Sequence, residues 1–408
     1  MQNHVLNTID PAKIGERLAE ARRARRLTQQ DAADELRVAR TTITAMEKGE
    51  RRPRPGELIA LAGLYGRPVG EFVRPMDARS RPNFLVQFRS VRGGADRQLK
   101  READIRRFEQ LCEWYVDLEE MLGAPLPRRY SDLYDISGSS AERAAEEVAS
   151  SERIRLGLGD GPIGNLWGIL ETDIGLRDFA LAMDDRRIGG MFVYTEEYGG
   201  CVAVNANHPE ERRRWSGAHE YAHFLTDRHR PEITVLNVSK RAQESERFAE
   251  AFTRHFLMPT TGLFRRFESI RRSKTSPVTP ADLLHLAYLY RVSVQAMTWR
   301  LEDLKLLPPG TWDRLHHLGF RPNDAKRLMG LPVHGAVLPA LPHRYETLAV
   351  QAFLEERLSE GQLAARLLTD RIGARERVEA VVTADQPVAD GAWDQVALDL
   401  SAALVGVT

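Results

Sequence analysis

The sequence predicts a mainly α-helical fold with one small β-sheet. Apolar residues recur every three or four positions in segments such as Ile105–Leu122, which predicts helices packed on one face. Two β-rich runs, Met191–Tyr194 and Cys201–Asn205, flank the turn segment Glu196–Gly200 and predict a hairpin. The 408 residues exceed what one ordinary core holds, so we expect two or three domains.

The composition is typical of a soluble globular protein, with 42% hydrophobic and 28% charged residues. No apolar run reaches the roughly 18–20 residues of a membrane span, and the N-terminal segment lacks the apolar stretch of a secretory signal. The two cysteines, Cys112 and Cys201, are too few for a disulfide framework or a cysteine-rich zinc site. We therefore expect a cytoplasmic protein without membrane contact and with two reduced, buried thiols.

Residues 11–75 are predicted to form an N-terminal domain of short helices joined by tight turns. Thr28 is followed three positions later by Asp31, the spacing of a capping box, so a helix should begin there. Gly49 suits the left-handed end of the next helix, and the prolines beyond it prevent continuation. Residues 13–74 contain fourteen Lys or Arg and nine Asp or Glu, a net charge of +5. This basic skew is compatible with binding to nucleic acid.

Residues 14–72 resemble the XRE (Cro/C1-type) helix-turn-helix family along their whole length. The matching residues are Ile14, Gly15, Arg22, Leu27, Thr28, Gln29, Ala33, Leu36, Val38, Ile43, Glu47, Lys48, Gly49 and Pro53. The resemblance implies a five-helix fold that binds a double-stranded DNA operator. It also implies a homodimer, because such domains generally occupy two half-sites about one helical turn apart.

In a helix-turn-helix, the second helix of the motif lies in the major groove, and its first residues reach the base edges. The residues that the motif places there are Arg40, Thr41, Thr44 and Ala45. Arg40 can form two hydrogen bonds to a guanine, while the methyl groups of Thr41 and Ala45 suit the methyl group of thymine. These four residues are the predicted sequence-reading positions.

The same resemblance assigns roles to residues away from the base edges. It implies that Gln29 contacts a DNA phosphate and that Arg22 pairs with Glu47 inside the fold. For Arg51, Arg52 and Arg54 two interpretations stand side by side: they lie in a solvated loop, or they contact DNA phosphates.

Residues 76–135 are expected to connect this domain to the rest of the chain. Positions 76–96 are rich in Arg, Pro and Gly and predict a linker, and a helix follows over 97–122. Its apolar stripe, Ile105–Leu122, predicts packing either within the chain or against a second copy. Residues 140–182, further on, are expected to be helical.

The most specific chemical motif is His219-Glu220-Tyr221-Ala222-His223. Histidines four positions apart lie on one face of a helix and can bind one zinc ion. Glu220 would then face the open metal position, where it could act as the catalytic base toward a bound water.

A second helix, about twenty residues downstream, offers a third ligand. A catalytic zinc site of the His₂Glu type takes a carboxylate from a neighbouring helix and a water in the fourth position. Glu246 is predicted to be that ligand, and Glu250, one turn on, to orient a ligating histidine without touching the metal. His255 lies on the opposite face and is predicted to pack inside the fold, while His208 and His229 are weaker alternatives.

Residues 140–305 or so resemble the ImmA/IrrE family of zinc metallopeptidase-like proteins. The resemblance rests on the His219–His223 motif, on Glu246–Pro259 with its Phe-Leu-Met-Pro ending, and on the preceding hairpin. It implies a gluzincin-like α+β domain that binds Zn²⁺ and that, in some members, cleaves a partner repressor. Tyr221-Ala222 replaces the usual Leu-Gly, and Glu250 stands where Asn is common, but neither change removes a metal ligand.

The expected order is thus a helix-turn-helix domain, a connector, a metallopeptidase-like domain over 136–307 and a helical module over 308–408. Ser359 and Gln362 predict a capping box in that module, which we expect to bind protein rather than DNA. This order resembles regulators and antitoxin-like proteins encoded beside toxins or stress-response genes.

Three functional interpretations follow. The first is a DNA-binding regulator whose peptidase-like domain senses a signal or a partner such as a toxin. The second is a zinc endopeptidase that cleaves a repressor or toxin and is localised by its DNA-binding domain. The third is a metal-dependent sensor of a small ligand.

Overall fold

The structure is a computed structural model. It describes residues 10–25, 27–66, 69–73, 84, 95–229, 232–235, 244–273, 275, 277–331 and 341–383. The chain divides into two compact units, Met1–Arg81 and Pro82–Thr408. Within the described part of the chain, no helix combines the length and apolar character needed to cross a membrane.

The first unit is helical, as predicted, and its described residues hold five helices. They are α1 (Pro11–Ala24), α2 (Gln29–Leu36), α3 (Arg40–Glu47), α4 (Pro55–Tyr65) and α5 (Gly70–Val73). Helix α2 begins with the predicted capping box, in which Thr28 and Asp31 bond each other's backbone N–H. Helices α1 and α3 approach closely at Gly15, where a Cβ atom would lie 2.4 Å from the Met46 carbonyl oxygen.

The second unit begins with three helical segments and continues into a sheet. The helices are α6 (Ala95–Leu122), α7 (Ala141–Arg155) and α8 (Leu166–Gly168), which passes into a π-helical turn at Ile169–Ile174. The strands are β1 (Arg177–Leu181), β2 (Ile188–Thr195), β3 (Gly199–Asn205) and β4 (Glu232–Val235). In the described residues they form one sheet of order β1-β3-β2-β4, with β1 parallel to β3 and the other pairs antiparallel. The predicted hairpin is confirmed as β2 and β3.

Strand β1 corrects the expectation that residues 140–182 are helical throughout. Every residue of Arg177–Leu181 is buried. A strand covered on both faces shows no alternation of apolar and polar residues, so periodicity does not distinguish it from a buried helix.

Helices dominate the rest of the second unit. They are α9 (Glu210–Asp227), α10 (Glu244–Leu257), α11 (Thr260–Arg272), α12 (Pro280–Tyr290), α13 (Val294–Asp303), α14 (Thr311–His317), α15 (Pro322–Leu328), α16 (His343–Leu354), α17 (Glu360–Arg366) and α18 (Arg371–Thr383). The predicted capping box of Ser359 and Gln362 begins α17.

Each face of the sheet has its own core. One face carries Phe192, Val202 and Val204 and packs against helices that include α7, α9 and α10. On the other face, Phe179 and Met191 pack with residues of α6 and α16–α18.

This second core settles where the apolar stripe of α6 packs. The stripe residues Ile105, Phe108, Leu111, Tyr115 and Leu118 are buried inside the chain. Phe84, a described residue of the predicted 76–96 linker, packs edge-on against Phe108. The stripe therefore gives no support for a dimer, and dimerisation stays a prediction. The rest of that linker, apart from positions 95 and 96, lies outside the described residues.

Candidate functional site

Helix α9 carries the predicted metal-binding motif and is buried over the whole of it. His219 is 5% exposed, Glu220 is 0% exposed and His223 is 3% exposed. The helix packs on strands β2 and β3 on one side and on α10 on another. Buried polar side chains need partners, so a motif this enclosed has to be satisfied by its neighbours.

Tyr221, the residue that replaces Leu in the motif, holds α9 against α7. Its hydroxyl donates to the Glu152 carboxylate, which is fully buried and also accepts from Tyr134 at 2.9 Å and from Arg155 at 2.6 Å. Tyr221 therefore points away from the histidine pair and anchors the helix that presents them. The departure from the usual motif is structural, not a change of ligand.

The structure brings His219, His223 and Glu246 together. The two Nε2 atoms are 3.2 Å apart, Glu246 Oε2 is 3.4 Å from His219 Nε2, and Glu246 Oε1 is 3.5 Å from His223 Nε2. Two ligands about 2.0–2.1 Å from zinc and at a tetrahedral angle lie about 3.3–3.4 Å apart. The distances among the two ring nitrogens and the Glu246 carboxylate, whose two oxygens each approach one histidine, thus match the edge length of a zinc tetrahedron. Among the described residues, this is the only group of three or more His, Cys, Asp or Glu with donor atoms within 4.8 Å of one another.

Glu250 lies on the other side of the His219 ring. Its Oε2 is 3.7 Å from His219 Nδ1 and accepts a hydrogen bond from Trp215 Nε1 at 3.3 Å. The two carboxylates of α10 therefore face the two different ring nitrogens of one histidine. This is the arrangement expected when one carboxylate shares the metal and the other orients the imidazole.

The same acids govern the electrostatics of the pair. Burial acts to lower the pKa of His219, but the carboxylates of Glu246 and Glu250 and the charge of Glu220 outweigh it and raise that pKa to about 10. Burial and the adjacent His219 charge lower the pKa of His223 to about 3. The protein thus stabilises positive charge beside His219 and keeps His223 a neutral lone-pair donor.

Glu220 lies between the histidines and the sheet. Its side chain reaches over Gly190 of β2, where an added Cβ atom would be 2.5 Å from Glu220 Oε1. The carboxylate is therefore held at the strand and beside His219, whose pKa it affects, while Glu246 supplies the oxygens nearest to both Nε2 atoms.

Other histidines do not join the group. His255 is buried on the opposite side of α10, where Glu142 lies 3.1 Å from Nε2 and Arg300 lies 3.0 Å from Nδ1, so the prediction that it packs inside the fold is confirmed. His208 lies 2.7 Å from the Arg186 carbonyl oxygen through Nε2. The sequence analysis did not identify Trp215, the hydrogen-bond partner of Glu250. Its position four residues before His219, on the same helix face, is the signal that could have found it.

In the first unit, the predicted pair of Arg22 and Glu47 is present. Arg22 Nε donates to Glu47 Oε1 at 2.6 Å, and Nη2 donates to Oε2 at 2.9 Å. Gln29 Nε2 donates to the same carboxylate at 2.8 Å, and Gln29 Oε1 accepts from Thr44 at 3.2 Å and from Arg40 Nε at 3.4 Å. Gln29 therefore ties α2 to α3, and its phosphate contact stays a prediction.

The predicted sequence-reading residues lie along the outer side of α3. Arg40 and Thr41 are exposed, and Thr44 and Ala45 are half-buried, whereas Ile43 points into the core. The helix thus presents these four side chains away from the bundle, as contact with base edges requires.

Two family models match the chain. A helix-turn-helix model matches residues 18–72, and a model described as the IrrE N-terminal-like domain, of the M78 peptidases, matches residues 172–302. The second match contains His219, Glu220, His223 and Glu246. No curated protein matches the chain.

Comparison with solved structures gives two distant likenesses. Bacillus thuringiensis PlcR, in complex with the peptide PapR7 and DNA, is 10% identical, with 91% of this chain and 88% of that chain covered and a TM-score of 0.17. ComR from Streptococcus suis is 12% identical, with 92% and 90% covered and a TM-score of 0.16. With TM-scores this low, neither the fold nor the function of these two proteins is inferred for this chain. The two family matches show that the chain carries an XRE-type helix-turn-helix domain fused to an IrrE N-terminal-like domain of the M78 peptidase family.

Proposed function

We propose that the protein is a transcription regulator that binds a double-stranded DNA operator through α3 and holds a zinc ion in its second unit, which senses a signal or a protein partner. The observation that carries the proposal is the cluster of donor atoms from His219, His223 and Glu246, whose distances of 3.2, 3.4 and 3.5 Å suit one tetrahedral ion. A chain with a DNA-reading helix and such a cluster can couple the binding of zinc or of a partner by the second unit to gene expression.

The residues would hold the ion in distinct ways. His219 and His223 would ligate through Nε2 and Glu246 through its carboxylate, while Glu250 would orient His219 from Nδ1, supported by Trp215. Bound zinc would supply Lewis-acid chemistry and lower the pKa of a coordinated water. The charge balance supports a cation, because the carboxylates of buried Glu220, half-buried Glu246 and exposed Glu250 surround two buried imidazoles.

The test is made on the full chain in cells. His223→Ala should change expression of the gene beside the operator, because it removes a ligand, whereas Glu220→Gln should leave expression unchanged. If His223→Ala has no effect on expression while zinc is lost, the metal does not take part in regulation.

A second candidate is a zinc endopeptidase that cleaves a partner repressor or toxin. It is favoured by one observation, the buried Glu220 carboxylate beside His219, since a general base adjacent to the ligands is needed for hydrolysis and has no use in a purely structural zinc site. The same pair of variants separates the two functions. Under this second candidate Glu220→Gln abolishes regulation while zinc content is retained.

We also propose two protein partners, a second copy of this chain and a toxin or repressor. A dimer on two half-sites is expected from the helix-turn-helix domain. Mass measurement by sedimentation, with and without operator DNA, tests it, and a monomer under both conditions at micromolar concentration would contradict it. A toxin or repressor is the protein partner that we propose for the second unit.

A further inference from the structure

The carboxylate of Glu220 lies against strand β2 at a position occupied by Gly190. An ideal Cβ atom on Gly190 would be 2.5 Å from Glu220 Oε1, 2.9 Å from Cγ and 3.0 Å from Cδ. Three atoms of one side chain therefore fill the space that any residue other than glycine would need. Glu220 is 0% exposed, so its side chain has little room to retreat.

The strand is irregular at this point. The register of β2 against β4 shifts between Ile188 and Gly190, and such bulges re-aim a strand and are common beside active sites. Residue 190 pairs with Val204 of β3, whose side chain belongs to the core beneath α9. Gly190 thus faces α9 at the turn that bears the motif.

We propose that Gly190 is a positioning residue for Glu220: the absence of a side chain at position 190 creates the space that holds the carboxylate beside the histidine pair. The inference rests on the second candidate function, in which Glu220 is the general base of the endopeptidase. A methyl group at position 190 would push the carboxylate off the strand, and a base moved by about 1 Å loses much of its effect.

The sheet supplies a matched control glycine. Gly200 of β3 also faces α9, and a Cβ atom there would lie 2.3 Å from Leu176 Cδ2 and 2.8 Å from Phe224 Cε2. Both Gly190→Ala and Gly200→Ala therefore overpack the sheet beneath the same helix, but only the first does so against Glu220.

A double-mutant cycle on the full chain tests the proposal by thermal unfolding. Gly190→Ala and Gly200→Ala should each lower the Tm by roughly 2–10 °C, the usual effect of overpacking. Glu220→Ala removes the three atoms in the way, so it should restore most of the loss caused by Gly190→Ala and none of the loss caused by Gly200→Ala. Glu220→Gln keeps the same shape and should restore neither.

Two outcomes would overturn the inference. One is a Gly190→Ala protein as stable as the wild type. The other is an equal loss in the wild-type and Glu220→Ala backgrounds. If Gly190→Ala does not fold, recovery of folded protein in the Gly190→Ala/Glu220→Ala double variant supports the inference, and failure of that variant while Glu220→Ala alone folds refutes it.

Zinc content keeps this inference separate from the proposed function. Gly190→Ala leaves the three donor residues in place and should bind one equivalent of added Zn²⁺. Absence of zinc from the wild type would remove the functional interpretation but not the steric relationship that the cycle measures.

Discussion

Arg177 of β1 and Glu119 of α6 form an ion pair that is almost completely buried. Arg177 Nη2 lies 2.6 Å from Glu119 Oε2, and each side chain is 3% exposed. Arg344 of α16 donates to the other carboxylate oxygen at 2.9 Å and to Tyr115 at 3.2 Å. One carboxylate thus joins the sheet, the connecting helix and the C-terminal helices.

We predict that Glu119→Ala lowers the free energy of unfolding by about 3–5 kcal/mol, because it leaves the Arg177 charge buried without its carboxylate. Chemical denaturation followed by circular dichroism measures the change. Glu147→Ala is the control, since Glu147 pairs with Arg143 on the surface and should cost less than 1 kcal/mol. Equal losses in the two variants would contradict this account of the buried pair.

The proposed zinc site gives a graded prediction. His223→Ala and Glu246→Ala should lose stoichiometric zinc, Glu220→Gln should keep it, and Glu250→Ala should weaken affinity by about 10–100-fold because it only orients His219. Metal analysis and competition with a chelator measure the four variants. Glu244→Ala, exposed at the start of α10, is the control and should match the wild type. Full retention of zinc by Glu246→Ala would refute the choice of third ligand.

For DNA, Arg40→Ala should weaken binding to the preferred site by about 1–3 kcal/mol and relax the preference at one base pair. Selection from a random DNA pool followed by affinity measurement tests it. Arg23→Ala, exposed on α1, should leave the base preference unchanged. The prediction fails if Arg40→Ala lowers affinity equally for all sequences, which is the behaviour of a phosphate contact.

Asp104 of α6 should make stability depend on pH. Burial raises the pKa of its carboxyl to about 6, the neighbouring charge of Asp184 adds to the shift, and the Asp184 backbone and Arg107 oppose it. Between pH values of about 4 and about 6, Asp104 therefore keeps its proton in the folded protein, whereas in the unfolded chain, with a pKa near 3.9, it has released it. This group lowers stability progressively as the pH rises from about 4 to about 6.

Asp104→Asn, which cannot ionise, should consequently stabilise the fold at pH 7.5 by about 1–2 kcal/mol after allowance for solvent screening, and have little effect near pH 4. Denaturation at the two pH values measures the difference. Asp313→Asn, at an exposed position, serves as the control. A gain that is the same at both pH values would show that the effect is not due to ionisation.

The local features of this protein follow from short sequence patterns. The spacing of His219 and His223 was sufficient to place both on one face of a helix, and the capping boxes at Thr28 and Ser359 located helix starts, because these patterns depend on neighbours three or four residues away. The prediction of Glu246 as the third ligand, with Glu250 orienting a histidine, used the spacing of two carboxylates one helix turn apart. All of these signals are local.

Features that depend on distant partners could not be predicted in this way. Strand β1 has no alternation because both of its faces are covered. The contact of α16 with α6 joins residues more than two hundred positions apart, such as Tyr115 and Arg344, and no spacing rule links them. The space at Gly190 for the Glu220 carboxylate likewise depends on a strand and a helix meeting in three dimensions.

The long-range contact between α6 and α16 has a consequence for synthesis on the ribosome. Tyr115 and Arg344 are separated by 229 positions. At a synthesis rate of about 5–20 residues per second, α6 therefore leaves the ribosome roughly 10–45 s before α16. During that interval the sheet face with Met191 and Val193 lacks the C-terminal helices that complete its cover. Nascent chains and products truncated before residue 341 should therefore be the forms that chaperones hold and that aggregate first.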